Sequence, residues 1–325
     1  MGRAHIADPE WSKKAFEGRE NEIRKCISCL HCTYTSQLEC SINVHAGHEL
    51  EYTDLEKINE KRHVVIVGGG PGGVEAARVL SLRGYDVSLF EKTNQLGGQL
   101  RLVSDPVYKK KMNWHCEYMT HEMERLGVNV YLQTEATVEK IKDLQPYAVI
   151  LATGSQPYIP KIEGYHLPHV CTYEDIRREG KEFSEQKITV IGSGMICHST
   201  ARQLAEQGNH VTWIEQPTKS KRKMSPQTRV NLLKKLEERN VNIITDDHDV
   251  SKILSKSIII EDKKSRKQTE IETDLVVMAM GVEPSNPLEA KLKDHVQNLY
   301  VIGDAAGYSS LADATHQGFK AAYSL

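Results

Sequence analysis

His63-Val64-Val65-Ile66-Val67-Gly68-Gly69-Gly70-Pro71-Gly72-Gly73-Val74 decides the fold of this 325-residue chain. Four apolar residues, Val64 to Val67, make a run suited to a strand buried on both faces. Glycines follow at once, and Val74-Glu75-Ala76-Ala77-Arg78-Val79-Leu80 reads as an amphipathic helix. Strand, glycine turn and helix in this order form the phosphate-binding turn of a dinucleotide-binding unit. Gly68 permits the tight turn, Gly70 lets a pyrophosphate approach the backbone, and Gly73 lets helix and strand pack closely. The helix N-terminus offers N–H groups and positive partial charge to the phosphates. A second strand, residues 85–90, ends at Glu91, 23 positions on (68 to 91), where a carboxylate accepts from adenosine ribose hydroxyls.

The pattern then returns. A strand at 188–191 meets Gly192-Ser193-Gly194, a helix is expected over 195–207, and a strand at 210–214 ends at Glu215. The acid again stands 23 positions after the first glycine (192 to 215), so the chain holds two nucleotide-binding units. Cys197 occupies the place of the last glycine or alanine of the second loop. Glu215 favours NADH, because a carboxylate repels the 2′-phosphate of NADPH. Lys219, Lys221 and Arg222 offset that repulsion in part, which leaves NADPH open. A longer helix is expected over 107–126. Strands at 147–151 and 274–278 lead to Ala152-Thr153-Gly154 and Ala279-Met280-Gly281. A last strand ends in Gly303-Asp304, where Asp304 suits a flavin ribityl hydroxyl. A helix from about Thr315 would aim its N-terminus at the flavin pyrimidine oxygen. His316 reads equally as a packed helix-start residue or a flavin contact.

Ahead of both units stand Cys26, Cys29, Cys32 and Cys40, spaced C-x2-C-x2-C-x7-C. Zinc ribbons usually show two separate C-x2-C knuckles, so this tight interval favours a 4Fe-4S cluster over zinc or free thiols. Cys116, Cys171 and Cys197 are isolated. Neither nucleotide unit carries the C-x-x-C or C-x4-C pair of flavin enzymes that reduce disulfides, so the cluster is the visible electron exit. Residues 1–25 read as polar and helical, with Asp8 as N-cap, Pro9 at the first helical position and Gly18 as the stop.

Composition sets the class. Apolar residues make up 39% and charged residues 26%, which is globular, and 42 basic against 44 acidic side chains leave no nucleic-acid footprint. The basic cluster at 263–267 reads as a solvated loop or hairpin. No apolar run reaches membrane-spanning length and no signal core opens the chain, so no membrane partner is expected. Seven cysteines, an odd number with four clustered, point to a reducing compartment, and the cytoplasm is expected.

Arg24-Lys25-Cys26-Ile27-Ser28-Cys29, followed by Cys32, Cys40, Asn43 and Gly47-His48-Glu49, resembles the cluster segment of the trimethylamine dehydrogenase and 2,4-dienoyl-CoA reductase family. Leu96-Gly97-Gly98-Gln99 and Gly303-Asp304 are similar to its flavoprotein half. The resemblance implies an NADH:flavin oxidoreductase of the old yellow enzyme type. It adds Gly98, Gln99 and Gly154 to the FAD contacts. Members begin with an (α/β)8 barrel that carries FMN and the substrate site. Gly2-Arg3 and Ala4-His5-Ile6-Ala7-Asp8-Pro9 resemble its end, so Arg3 becomes a candidate FMN contact and the chain is expected to start inside the last barrel strand.

The expected class is therefore α/β, with two interleaved Rossmann-like domains after a cysteine-rich iron–sulfur segment. Residues 1–25 are read as a barrel remnant and 26–61 as the cluster segment. Residues 62–156 plus 286–325 are read as the FAD domain, and 157–285 as the NAD(P)H domain. Electrons are expected to pass from NADH through FAD to the cluster, and on to an FMN and small-molecule site outside this chain. No catalytic acid or base is assigned. The alternatives are a scaffold binding only ADP at the first site, or an inactive fragment. Association with itself or a second subunit is expected.

Overall fold

A computed structural model describes residues 2–52, 54–103, 110–217, 226–245, 247–307 and 309–325. The chain divides into two compact units, Met1–Ser155 with Pro284–Leu325, and Gln156–Glu283.

Short helices open the first unit: α1 (Gly2–Ala7), α2 (Trp11–Phe16) and α3 (His31–Tyr34). Two expectations are corrected here. Residues 2–7 are helical, as their composition suggests, and not the barrel strand that the resemblance implies, because their backbone bonds itself, as in Asp8 N–H to the Ala4 carbonyl at 2.9 Å. Asp8 does not cap a helix running to Gly18. Its carboxylate instead accepts the backbone N–H groups of Glu10 (3.1 Å) and Arg24 (2.9 Å) and pairs with Lys14 (2.9 Å). Asp8 thus ties α2 to the start of the cysteine segment, and α2 begins three residues after it.

Then come β1 (His63–Val67), α4 (Pro71–Leu82), β2 (Asp86–Phe90), α5 (Gln99–Val103), α6 (Lys110–Arg125), β3 (Asn129–Tyr131), α7 (Val138–Asp143), β4 (Ala148–Leu151) and β5 (Ser155–Pro157). The expected start of α6 at 107 lies outside the described residues.

The second unit holds β6 (Val170–Thr172), α8 (Tyr173–Glu179), β7 (Lys187–Gly192), α9 (Gly194–Glu206), β8 (His210–Glu215), α10 (Pro226–Glu237), β9 (Asn242–Ile244), β10 (His248–Ile253), β11 (Ser257–Asp262), β12 (Gln268–Glu272) and β13 (Leu275–Ala279). Its main sheet runs β6-β13-β7-β8-β9, all parallel. A three-stranded antiparallel sheet, β10-β11-β12, stands beside it, and the basic stretch 263–267 is its exposed hairpin turn.

The chain returns to the first unit through β14 (Val282–Pro284), which pairs with β5, then α11 (Glu289–Leu292), β15 (Asn298–Val301) and α12 (Leu311–Ser324). The first-unit sheet is β15-β4-β1-β2-β3, again parallel. Each parallel sheet puts its first glycine loop at the end of its central strand, β1 or β7. That is the carboxyl edge where open α/β sheets bind ligands.

Alternation along the first sheet feeds two cores. Val64, Ile66, Leu89 and Ile150 pack with Leu80, Met123 and Phe319, while Val65, Val67, Val149 and Leu151 pack with Ile141 and Leu292. Each such buried side chain contributes about 1.5–3 kcal/mol. The helices α4 and α12 meet backbone to backbone. A Cβ on Gly318 would lie 2.1 Å from the Gly72 carbonyl oxygen, and one on Gly72 would lie 2.8 Å from that of Ala314.

A charged network joins the cysteine segment to α4 and α6. Glu75 and Arg78, both buried, form a two-point pair at 2.8 and 2.7 Å. Arg24 donates to the Tyr118 hydroxyl (3.1 Å) and to Asn43 Oδ1 (3.1 Å), and Asn43 Nδ2 donates to the Ile6 carbonyl (2.8 Å). Burial raises the Glu75 carboxyl, but the Arg78 charge and hydrogen bond outweigh this and hold it below the usual range. His115 stacks on Tyr118, and burial, aided by the Arg24 charge, pushes it down to about 3.

Gly318→Ala should destabilise the protein by about 3 kcal/mol through overpacking, read in urea or thermal unfolding. His115 sets a pH dependence. Between its unfolded value of 6.5 and about 3, the unfolded chain binds a proton that the folded chain does not. Stability therefore falls as pH drops through that window, and His115→Leu should make the fall shallower in urea midpoints taken across pH.

Candidate functional site

The first glycine loop is shaped by contacts a side chain would break. Gly68 has φ +111°, and a Cβ there would lie 2.2 Å from the Ala152 carbonyl oxygen. A Cβ on Gly73 would lie 2.0 Å from the Gly68 carbonyl oxygen. Gly70 differs, since its Cβ would meet nothing within 4 Å. No contact within the chain demands glycine there, and the open space lies where a pyrophosphate needs it. Gly70 is the N-cap of α4 and Pro71 its first residue, so the helix N-terminus opens on the loop.

Glu91 stands beside this loop and is buried. Oε2 accepts the Gly69 N–H at 2.8 Å, and Oε1 accepts the backbone N–H and hydroxyl of Thr93, both at 2.7 Å. The carboxylate thus also fixes the loop. The turn holding Gly98 completes it: the Gly97 N–H donates to Gly69 at 2.8 Å, and a Cβ on Gly98 would sit 3.1 Å from Gly70 Cα.

Hydrogen bonds continue to the other expected flavin residues. Gln99 Nε2 donates to the Ser155 carbonyl (3.5 Å), next to Gly154, and the Ser155 hydroxyl donates to Asp304 Oδ2 (3.0 Å). Asp304 Oδ1 accepts the N–H and hydroxyl of Ser309, both at 2.8 Å, and Gln317 Oε1 accepts the Gly303 N–H at 2.7 Å. Gly98, Gln99, Gly154, Gly303 and Asp304 are therefore brought together with the first loop. Ser155, Ser309 and Gln317 went unread in the sequence, where single polar residues carry no motif.

The helix expected from Thr315 starts at Leu311. Ser310 caps it, with a reciprocal box to Asp313, and this Ser-x-x-Asp signal outweighs the turn composition upstream. Thr315 lies one turn in and donates to the Leu311 carbonyl. His316 is not a helix-start residue, since it lies inside α12. Its Nε2–H donates to the Cys40 carbonyl at 3.0 Å.

In the second loop Gly192 has φ +138°, and a Cβ would lie 2.1 Å from the Ala279 carbonyl oxygen, the counterpart of Gly68 against Ala152. Gly194 has φ +80° and open space at its Cβ position. Cys197 does carry a Cβ where Gly73 has none, so α9 cannot approach Gly192 as α4 approaches Gly68. Accordingly α9 starts at Gly194, with Ser193 at its N-cap position, one position earlier in the loop. Burial pushes the Cys197 thiol well above its usual range. Glu215 pairs with Arg229 of α10 at 2.5 Å, a partner hidden by its distance along the chain. Lys219, Lys221 and Arg222 lie outside the described residues.

Cys26, Cys29, Cys32 and Cys40 line one small pocket, walled by Ile6, Ile27, Leu30 and Ile42. Arg3, read as an FMN contact, lines the same pocket. Among the described residues no three His, Cys, Asp or Glu side chains group tightly enough to hold a metal ion as they stand. The donor chemistry nevertheless fits a thiolate-held group. All four are free thiols, the Ser28 N–H donates to Cys26 Sγ at 3.4 Å, and the Ile42 and Asn43 N–H groups oppose the rise that burial imposes on Cys40. Ser28 and Leu30 adopt left-handed φ (+56° and +61°), a conformation that costs about 1–2 kcal/mol each and wraps the chain around the pocket.

A profile of the pyridine nucleotide-disulphide oxidoreductase family matches residues 62–318. The chain belongs to that family. It is 37% identical to an NADH oxidase of Thermoanaerobacter brockii over 100% of this chain and 51% of the relative. It is 34% identical to a bilirubin reductase of Mediterraneibacter gnavus over 99% and 50%. A solved 2-naphthoyl-CoA reductase superposes with a TM-score of 0.90 at 30% identity, over 99% of this chain and 50% of that one. The chain thus spans about half the length of these relatives, and it corresponds to the flavoprotein part of the resemblance drawn above. The family binds FAD and a pyridine nucleotide and catalyses flavin-dependent redox reactions. Among the described residues no helix is long and apolar enough to cross a membrane.

Glu91→Ala leaves the Gly69 N–H without its buried acceptor. It should cost about 2 kcal/mol in urea unfolding and speed amide exchange at Gly69.

Proposed function

We propose that this chain is an electron-transfer module linking NADH, FAD and a 4Fe-4S cluster to an FMN and small-molecule site outside it. The observation that carries this reading is the convergence of Cys26, Cys29, Cys32 and Cys40 on one pocket, in the unit that carries the first glycine loop. When bound, FAD exchanges electrons in pairs with a nicotinamide and singly with a cluster.

The chain's own residues bind and orient. Gly70 and the N-terminus of α4 receive the FAD pyrophosphate, Glu91 the adenosine ribose, and Asp304 with Ser155 the ribityl chain. Gly192–Gly194 receive the NADH pyrophosphate, and Glu215 the ribose beside it. NADH is favoured, while Arg229 tempers the carboxylate's repulsion of NADPH. The division into units supports an FAD domain at 62–156 plus 286–325 and an NAD(P)H domain at 157–285, with the cluster segment at 26–61 inside the same unit as the FAD domain.

The relatives are named for different acceptors, bilirubin and 2-naphthoyl-CoA among them, yet they share the matched half. This supports an electron supply here and substrate choice elsewhere. Phe16, Tyr34 and Leu50 of the first 52 residues are 92%, 79% and 93% exposed, which suits docking against a barrel or a second subunit. Seven cysteines, an odd number with four clustered, suit the reducing cytoplasm.

Protein purified without oxygen should show a flavin band bleached by NADH, with iron at about four per chain. Cys40→Ser should lose iron and keep FAD. Zinc in place of iron, or ADP without flavin, overturns the reading.

A further inference from the structure

Four consecutive residues of α12 touch three parts of the first unit: the cysteine segment twice, the Gly303 turn and α4. His316 donates to the backbone carbonyl of Cys40 at 3.0 Å. Gln317 accepts the Gly303 N–H at 2.7 Å. Gly318 meets the Gly72 backbone with no clearance for a Cβ. Phe319, fully buried, packs edge-on against His45, with ring centroids 5.2 Å apart. Successive helical residues point about 100° apart, so four of them reach every side of the helix. The glycine contact prevents α12 from sliding along α4, so a displacement at one side is passed to the others.

Asp304, next to Gly303, spends its oxygens on Ser155 and Ser309. A polyol placed there competes for those bonds and shifts the Gly303 turn that Gln317 holds. We propose that α12 couples the first dinucleotide site to the thiol loop, with His316 as the positioning residue that fixes the Cys40 backbone when that site is filled. The inference rests on the reading that FAD occupies the first glycine loop. It does not depend on which metal the thiols hold, because the bond is to a backbone carbonyl.

Amide exchange over residues 41–46, measured on the whole chain with and without FAD, tests it. In the native protein FAD should slow exchange there by about threefold to tenfold, the range one hydrogen bond of ordinary net strength sustains. His316→Phe keeps a ring and removes the donor, so the FAD effect should vanish. His316→Gln restores an N–H at a similar reach and should retain it. Met at the same position serves if Phe is not tolerated. FAD binding is followed separately by equilibrium dialysis. Should FAD bind while exchange over 41–46 stays unchanged, or should H316F keep the effect, the coupling is wrong and the site reading stands. Should the native chain not bind FAD, the site reading falls and the coupling with it.

Discussion

Missing side chains at a few positions set the spacing of this molecule. Gly68 against Ala152, Gly73 against Gly68, Gly192 against Ala279 and Gly318 against Gly72 each bring backbone to within about the reach of a single Cβ. The first three shape the turns that end the central strands. The fourth lets α12 lie directly on α4, and α12 in turn bonds both the Gly303 turn and the Cys40 loop. The dinucleotide turn and the thiol pocket are therefore held by one set of close approaches.

The cysteine segment depends on that frame because it has little core of its own. Its cluster is small: Ala7, Ile27, Cys40, Ile42 and Ala46. What it lacks in buried area it borrows through polar bonds, from Arg24 to Tyr118 and from His316 to Cys40. Burial and the like charge of Arg78 oppose the Arg24 guanidinium, and Tyr118 and the Glu75 carboxylate outweigh them. The Glu75–Arg78 pair keeps that region close to balanced.

The motifs were legible in the sequence because they encode local backbone geometry. A strand, a glycine with left-handed φ and a helix start lie within ten residues, and spacing alone locates the acid that follows. The two parallel sheets were legible for the same reason, and the four closely spaced cysteines do line one pocket. Side-chain networks were not, because their members lie far apart in the chain: Arg24 meets Tyr118, and Ser155 meets Asp304. Asp8 looked like a helix cap until its competing partners, Lys14 and the Arg24 amide, were on the same carboxylate. The α12 start lies upstream of Thr315 for a different reason, the reciprocal capping box between Ser310 and Asp313.

The place of α12 after the inserted unit also orders how the two units form during synthesis. Residues 156–283 are contiguous and can pair their own strands as soon as they are made. The sheet built on β1 is split in sequence, because its edge strand β15 and its cover helix α12 are made only after residues 156–283. Nascent chain from the first glycine loop onward therefore waits with an apolar face open until that inserted unit has been made.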